Sequence, residues 1–400
     1  MSNRKRGIIQ AVLFITTVIT TTLAGAENTF EKSMFLGNLT WEGFLSGFQF
    51  SIPFLLILTV HEFGHYFTAM YHKVKATLPF YIPVPPLPLF NIGTLGAVIR
   101  QQRAASTRQS FDIGIAGPLA GFVMAMIVLF YGFTHLPDPE YIFQIHPEFK
   151  AYGSNYAEKV YQPGDDLAAI LVGDNLIFKF FKTYVADPAR IPDPHEFMHY
   201  PVLVAGYLAL FFTFLNLLPI GQLDGGHVVY GLFGYKKHRI IATVFFIGFT
   251  FYAGLGVFSP TNFPTQDLSV SVPWILVAIG FAYFTFLGLG LSKRDTLMYA
   301  LLMIAVLFVL GRLKPTWQGY SGFLPFAFFL GRFVGIRHPP SDIEEPLDGK
   351  RVLLGWIALI IFLLCFSPVP FDIVTVKKVQ AVLSSPVGSF STCFAGLPIG

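Results

Sequence analysis

The chain has 400 residues, 54% of them hydrophobic, 16% aromatic and only 12% charged, with a mean hydropathy of +0.60. That excludes an ordinary soluble globular domain and points to a polytopic membrane protein. The net charge of +4 reads as topology rather than nucleic-acid binding, because the basic residues sit at the ends of apolar runs. Cys365 and Cys393 are the only cysteines, one in an apolar run and one in the tail, so no disulfide framework or cysteine metal site follows from them. Any metal must then be held by histidine and carboxylate.

In chain order, Ser2-Asn3-Arg4-Lys5-Arg6 precedes an apolar run over 7–24, which fits a cytoplasmic start. The small residues Ala24-Gly25-Ala26 also suit signal-peptide cleavage, and a retained first helix is the preferred reading. The second span covers 43–71. The stretch 77–103 does not read as a span, since Pro79, Pro83, Pro85, Pro86 and Pro88 exclude a regular helix, whereas 94–100 has strand character. If it enters the membrane it must pack on protein or line a cavity, and a re-entrant segment is preferred to a surface linker. The third span is 111–133 and the fourth 200–219, followed by apolar runs at 240–258, 272–291, 296–311 and 352–368. The 323–334 run is too short for a comfortable span and reads as re-entrant or tilted. Between the third and fourth spans, 135–199 is polar, rich in acids and poor in Lys and Arg, which suits the outside face. Lys236, Lys237, His238 and Arg239, and later Lys293 and Arg294, suit the inside face. The expected fold is an all-α polytopic membrane protein with about six to nine transmembrane helices and a re-entrant β-like segment near the polar motifs. Its expected divisions are an anchor helix and linker (1–42), core parts at 43–134 and 200–235, an extracytoplasmic loop (135–199) and C-terminal helices with a tail (236–400).

The second span carries Thr59-Val60-His61-Glu62-Phe63-Gly64-His65-Tyr66. Polar residues at such depth are expensive and usually functional. His61 and His65, four residues apart, share one helix face and can share a zinc ion. Glu62 adjoins the pair, placed to take a proton from a water on the metal. The fourth span ends in Asn216-Leu217-Leu218-Pro219-Ile220-Gly221-Gln222-Leu223-Asp224-Gly225-Gly226-His227. Pro219 and the glycines loosen the helix so that the chain can bend and present Asp224. Span parity puts Asp224 near the same membrane face as the histidines. Two histidines and a carboxylate, with a fourth position left for water, make a catalytic zinc arrangement. His135, His146, His195 and His199 read as loop residues, and His227 stands nearer the site, as a possible support for a ligand.

These two motifs resemble those of the site-2 protease family of intramembrane zinc metalloproteases. That family has a His-Glu-x-x-His helix and a later Asn-x-x-Pro-x-x-x-Leu-Asp-Gly helix, matched here by His61 to His65 and Asn216 to Gly225. Gly114-Ile115-Ala116-Gly117-Pro118-Leu119-Ala120-Gly121 also resembles the family core, and the likeness covers about 43–230. The resemblance implies Zn2+ held by His61, His65 and Asp224, Glu62 as catalytic base, and Asn216 positioning the substrate backbone. It implies a re-entrant β element beside the metal, whose free edge can take up an unwound substrate by strand addition. The 135–199 stretch is short for a PDZ domain and has no clear glycine-rich carboxylate-binding loop, so the chain looks closer to the bacterial and plastid branch without one.

The expected function is therefore intramembrane zinc metalloproteolysis of transmembrane segments, as in regulated intramembrane proteolysis, by a multi-pass protein of a cell membrane, the bacterial inner membrane by preference. The expected partners are a transmembrane protein substrate and membrane lipid, and no nucleic acid. A transporter or channel with an intramembrane metal site is the alternative, but it favours repeated halves, and no repeat is visible. A third class, a zinc-bound protein that handles membrane partners without cleaving them, fits less well with Glu62 in place.

Overall fold

The computed structural model describes residues 3–87, 91–257, 268–314 and 316–376. Pro88 of the proline-rich stretch and Cys393 lie outside the described residues. The first helix, α1 (Asn3–Phe30), is followed by α2 (Trp41–Ser46) and α3 (Phe48–Tyr71), which meet at Gly47 to form one long apolar element. A short antiparallel hairpin comes next, β1 (Phe80–Pro83) paired with β2 (Thr94–Val98). After α4 (Thr107–Thr134), the 135–199 stretch contains α5 (Ile142–Ile145), α6 (Tyr156–Val160), β3 (Pro163–Val172) and α7 (Leu176–Tyr184). It is thus more ordered than a plain polar loop. Phe178 and Phe181 of α7 pack on Phe133 at the end of α4, with ring centroids 5.1 and 5.6 Å apart.

The chain continues through α8 (Pro201–Asn216), α9 (Asp224–Leu255), α10 (Leu268–Phe286), α11 (Lys293–Leu313), α12 (Leu324–Phe329), α13 (Gly349–Cys365) and β4 (Phe371–Val376). Among the described residues, six helical elements are long and apolar enough to cross a membrane, and Pro201–Asn216 and Ser321–Val334 are shorter apolar helices. With only small two-stranded sheets beside them, this is an all-α polytopic membrane protein.

Two expectations are corrected here. The fourth span does not carry Asp224 on its loosened end: α8 stops at Asn216 and Asp224 is the first residue of α9. The physical reason is the turn between them. Gly221 takes a left-handed φ of 58°, and Cβ atoms at Gly225 and Gly226 would meet backbone carbonyls at 2.0 and 2.3 Å. The tight reversal ends one helix and starts another. The apolar run at 240–258 likewise belongs to a longer element, broken at Gly234 (φ 75°, ψ 171°) just before Lys236.

Long-range contacts settle which ends of the later helices lie together. At the start of α4, Thr107 donates its backbone N–H to Ile343 O, and Ile343 donates to Ala105 O, both at 3.0 Å. Arg351 at the start of α13 grips Asp112 with two hydrogen bonds of 2.7 Å. At the other end, β4 pairs antiparallel with β3. The 335–348 stretch therefore shares a face with the start of α4, and β4 shares a face with 135–199. With α8, α9, α10 and α11 each counted as one crossing from the end of α4, these contacts are matched when the short Ser321–Val334 element crosses as well. At 1.5 Å per residue it reaches roughly 21 Å, against a hydrocarbon core of about 30 Å.

The hairpin is held by α1. Gln10 Nε2 donates to Leu78 O, Thr20 Oγ1 to Gly93 O and Asn28 Nδ2 to Asn91 O, each at 2.6 Å. Irregular backbone at membrane depth needs such partners, because no water is there to replace them. This accounts for the burial of Gln10 and Thr20 on a helix of apolar composition; Thr17 and Thr21 bond back to carbonyls of α1 itself, and Thr22 also meets Ser51 of α3.

Candidate metal centre

His61, Glu62 and His65 are all buried on α3. The two imidazoles lie one turn apart and meet edge to face, with Nε2 atoms 3.1 Å from each other. Each Nε2 lies 3.5 Å from Asp224 Oδ2, at the start of α9. These donor atoms all lie within 4.8 Å of one another. Zinc bonds of about 2.0–2.1 Å in a tetrahedral arrangement separate neighbouring donors by roughly 3.3 Å, so the set matches zinc in both chemistry and spacing.

The ring of His65 is oriented from behind. Its Nδ1 donates to Ile113 O on α4 at 2.7 Å, which leaves the Nε2 lone pair facing the other donors. The sequence spacing gave no sign of this carbonyl. Close approach of α3 and α4 depends on the glycines that the sequence reading noted without a role. A Cβ at Gly117 would stand 2.0 Å from His65 Nε2, and one at Gly121 would stand 3.0 Å from His61 Cβ. On the α3 side, a Cβ at Gly64 would meet Ala116 O at 2.6 Å. Any larger side chain at these places would push the helices apart.

The donors open into a cavity of about 280 Å³ whose walls include Glu62, Ala97, Val98, Asn216 and His227. A narrower apolar extension of about 120 Å³ runs along α3 past Phe54 and Ile57, with Leu95, Gly96 and Asn216 on its sides. Glu62 and Asn216 thus face the space beside the donors, and so does β2. The hairpin is tied to α3 by a 2.7 Å hydrogen bond between Thr59 Oγ1 and Tyr81 OH. In the two-stranded sheet β1 pairs with β2, while β1 lies against α1. The other edge of β2 has no strand beside it among the described residues, and Leu95 and Val98 on it are exposed.

His227 is not among the converging donors. Its Nδ1 lies 2.9 Å from Ser110 Oγ and 2.8 Å from His338 Nε2, so it joins α9 to α4 and to the 335–348 stretch. Ser110 and His338 escaped the sequence reading because nothing local marks them. His338 is more than a hundred residues away from its partner in the chain. His135 and His195 lie outside this centre, on the 135–199 stretch, where His195 Nδ1 is 2.7 Å from Asp193 Oδ1.

Comparison with known proteins points to the part of the chain that holds this centre. The chain is similar to the probable zinc metalloprotease EGY1, chloroplastic, of Oryza sativa subsp. japonica, with 30% identity over 231 residues, 56% of this chain and 33% of that protein. It is also similar to the EGY1 protein of Arabidopsis thaliana, at 29% identity over 205 residues, 50% of this chain and 31% of that one. The probable zinc metalloprotease EGY2, chloroplastic, of the same plant is 26% identical over 188 residues, 45% of this chain and 28% of the relative. The chain thus spans about a third of the length of the curated relatives it matches. No solved structure matches it. The profile of peptidase family M50 matches residues 49–255, more than half of the chain, and takes in α3, the hairpin, α4, α8 and α9. The chain belongs to peptidase family M50, the site-2 protease family.

Proposed function

We propose that the protein is an intramembrane zinc endopeptidase that cleaves transmembrane segments of other membrane proteins. The observation that carries this reading is the shared cavity. His61, His65 and Asp224 converge at a place where Glu62, Asn216 and the free edge of β2 also face. A transporter or channel reading gives no role to a strand edge beside the donors.

His61, His65 and Asp224 would hold the metal, which when bound polarises a scissile carbonyl and acidifies water. Glu62 is the proton carrier: it accepts a proton as water attacks and returns it to the leaving amine. Asn216, on the cavity wall at the end of α8, is placed to hold the substrate backbone. A transmembrane helix bonds all its backbone groups internally and must unwind before attack. The exposed edge of β2 offers replacement hydrogen bonds to the unwound stretch, and so lowers the cost of opening it. Phe54 and Ile57 line an apolar path suited to the helix that remains.

The partners on this reading are a membrane-embedded protein substrate and the surrounding lipid. A bacterial inner membrane is the setting we assign. The plant relatives are named chloroplastic, so a plastid membrane is the competing setting, and fractionation of source cells decides between them. The test of the reaction is Glu62→Gln in purified protein with a model transmembrane substrate. Gln keeps the shape and removes the proton acceptor, so turnover should fall by at least about 10²-fold while zinc is retained. Wild-type cleavage by a zinc-loaded Gln variant would overturn the assignment.

A further inference from the structure

A second group of metal-ligating side chains converges among the described residues, far along the chain from the first. It lies where 135–199 meets the end of α1. His146 Nε2 stands 3.1 Å from His199 Nε2, the same separation as between the imidazoles of α3. Glu31 Oε1 is 3.7 Å from His146 Nε2, and Glu196 Oε2 is 3.7 Å from His199 Nε2. The Glu31, His146 and His199 donors lie within 4.8 Å of one another. Tetrahedral zinc spaces its donors by roughly 3.3 Å, inside the range these pairs span.

Glu196 supplies an independent observation. Its side chain is only 1% exposed. One carboxylate oxygen accepts a 2.5 Å hydrogen bond from Tyr161 OH. The other, Oε2, is buried, faces His199 and has no hydrogen-bond partner. A buried acceptor left unmatched is costly, and a carboxylate more so. The orientation of His199 points the same way. Its Nδ1 donates to Thr29 O at 2.6 Å, which turns the Nε2 lone pair inward, the arrangement that metal-bound histidines use. A hydrogen bond between the two rings would satisfy their nitrogens but leave Glu196 Oε2 unmatched.

We infer that His146, His199 and Glu31 form a second, structural site for a divalent ion of the zinc class, with the Glu196 carboxylate facing it from beside His199. Two carboxylates balance the charge of the ion. Its three protein donors come from the end of α1 and from both ends of the 135–199 stretch, so the ion would hold structure. What it holds is the end of α1. Glu31 closes that helix at a φ of 55°, where glycine is usual, and the same helix carries the Gln10, Thr20 and Asn28 contacts to the hairpin. The ion would pin this brace to 135–199, and so fix the hairpin beside the first centre from the opposite face. The reading of His146 and His199 as loop residues is revised here: they are 53 positions apart, and although His195-Glu196-Phe197-Met198-His199 has the His-Glu-x-x-His spacing, His195 turns to Asp193 and His199 meets His146 instead.

The test is zinc content per chain of purified full-length protein, with Co2+ as a spectroscopic probe. His61→Ala with His65→Ala should remove one zinc and leave one behind. Adding His146→Ala with His199→Ala should remove the remainder. Because the latter pair can disturb folding, Glu31→Gln is the second variant, at a largely exposed side chain. In the His61→Ala, His65→Ala background it should weaken Co2+ binding by at least about tenfold. Absence of any zinc in that background, or a Co2+ affinity unmoved by Glu31→Gln and by His146→Asn, would overturn the inference without touching the protease reading. Loss of the first zinc alone bears only on that reading.

Discussion

Replacing Gly117 by Ala adds one methyl group to α4, replaces no proposed ligand, and should still disable the metal centre. The new Cβ would stand 2.0 Å from His65 Nε2 and 2.4 and 2.5 Å from two ring carbons. Unbonded carbon and nitrogen rest at about 3.5 Å, so something must retreat by roughly 1.5 Å. The backbone of α4 has little freedom to do so, since Gly64 of α3 already packs against Ala116 O without room for a Cβ. The His65 ring therefore moves, and its bond to Ile113 O goes with it. Metal–ligand distances tolerate about 0.2 Å, so one donor is lost. Misplacement by about 1 Å costs on the order of 10²-fold in rate, and cleavage should fall by at least that much. Helix propensity runs the other way, favouring Ala over Gly by about 1 kcal/mol, so loss of helix cannot explain the effect. The assay pairs zinc content and cleavage rate of Gly117→Ala with those of Gly248→Ala in α9. A Cβ at Gly248 meets nothing within 4 Å, so that variant should behave as wild type. A Gly117→Ala protein with full zinc and wild-type turnover would refute the close approach of α4 to the histidine helix.

Asp224→Asn should weaken zinc retention, because it removes the charged donor, and so differ from Glu62→Gln, which should keep zinc and lose turnover; metal analysis of both variants separates the two roles. Thr20→Val removes the hydroxyl that donates to Gly93 O and leaves that carbonyl with only its bond from Val84 N–H, at a cost of about 0.5–1.5 kcal/mol. Hydrogen exchange should quicken over 91–98 with little change in the global unfolding midpoint, and unchanged exchange there would remove α1 as the brace. Cysteines at Lys150 and Ile373 should be labelled by an impermeant reagent from one face and a cysteine at Lys237 from the other, since β3 and β4 pair and Lys236–Arg239 follow Asp224; Lys150 and Ile373 labelled from opposite faces would break the parity argument.

Much of the candidate centre was legible because its first half is local. Two histidines four residues apart share a helix face whatever surrounds them. A chain with 54% hydrophobic and 12% charged residues has little choice but the membrane, and five prolines within 79–88 forbid a helix whatever the tertiary context. What followed from packing was not legible. Asp224 was singled out by its motif but placed on the wrong element, because the turn over 217–223 depends on carbonyls that approach Gly225 and Gly226 too closely for any side chain. The carbonyl of Ile113 behind His65, the fit of Gly117 against that ring, and the meeting of His146 with His199 join residues 48, 52 and 53 positions apart. The course of the chain after residue 294 was decided by contacts longer still, between 335–348 and the start of α4 and between β3 and β4. Periodicity and solvation cost act on neighbouring residues and can be read from a sequence; the distance between two helices is set by every side chain that lies between them, and only the assembled structure contains it.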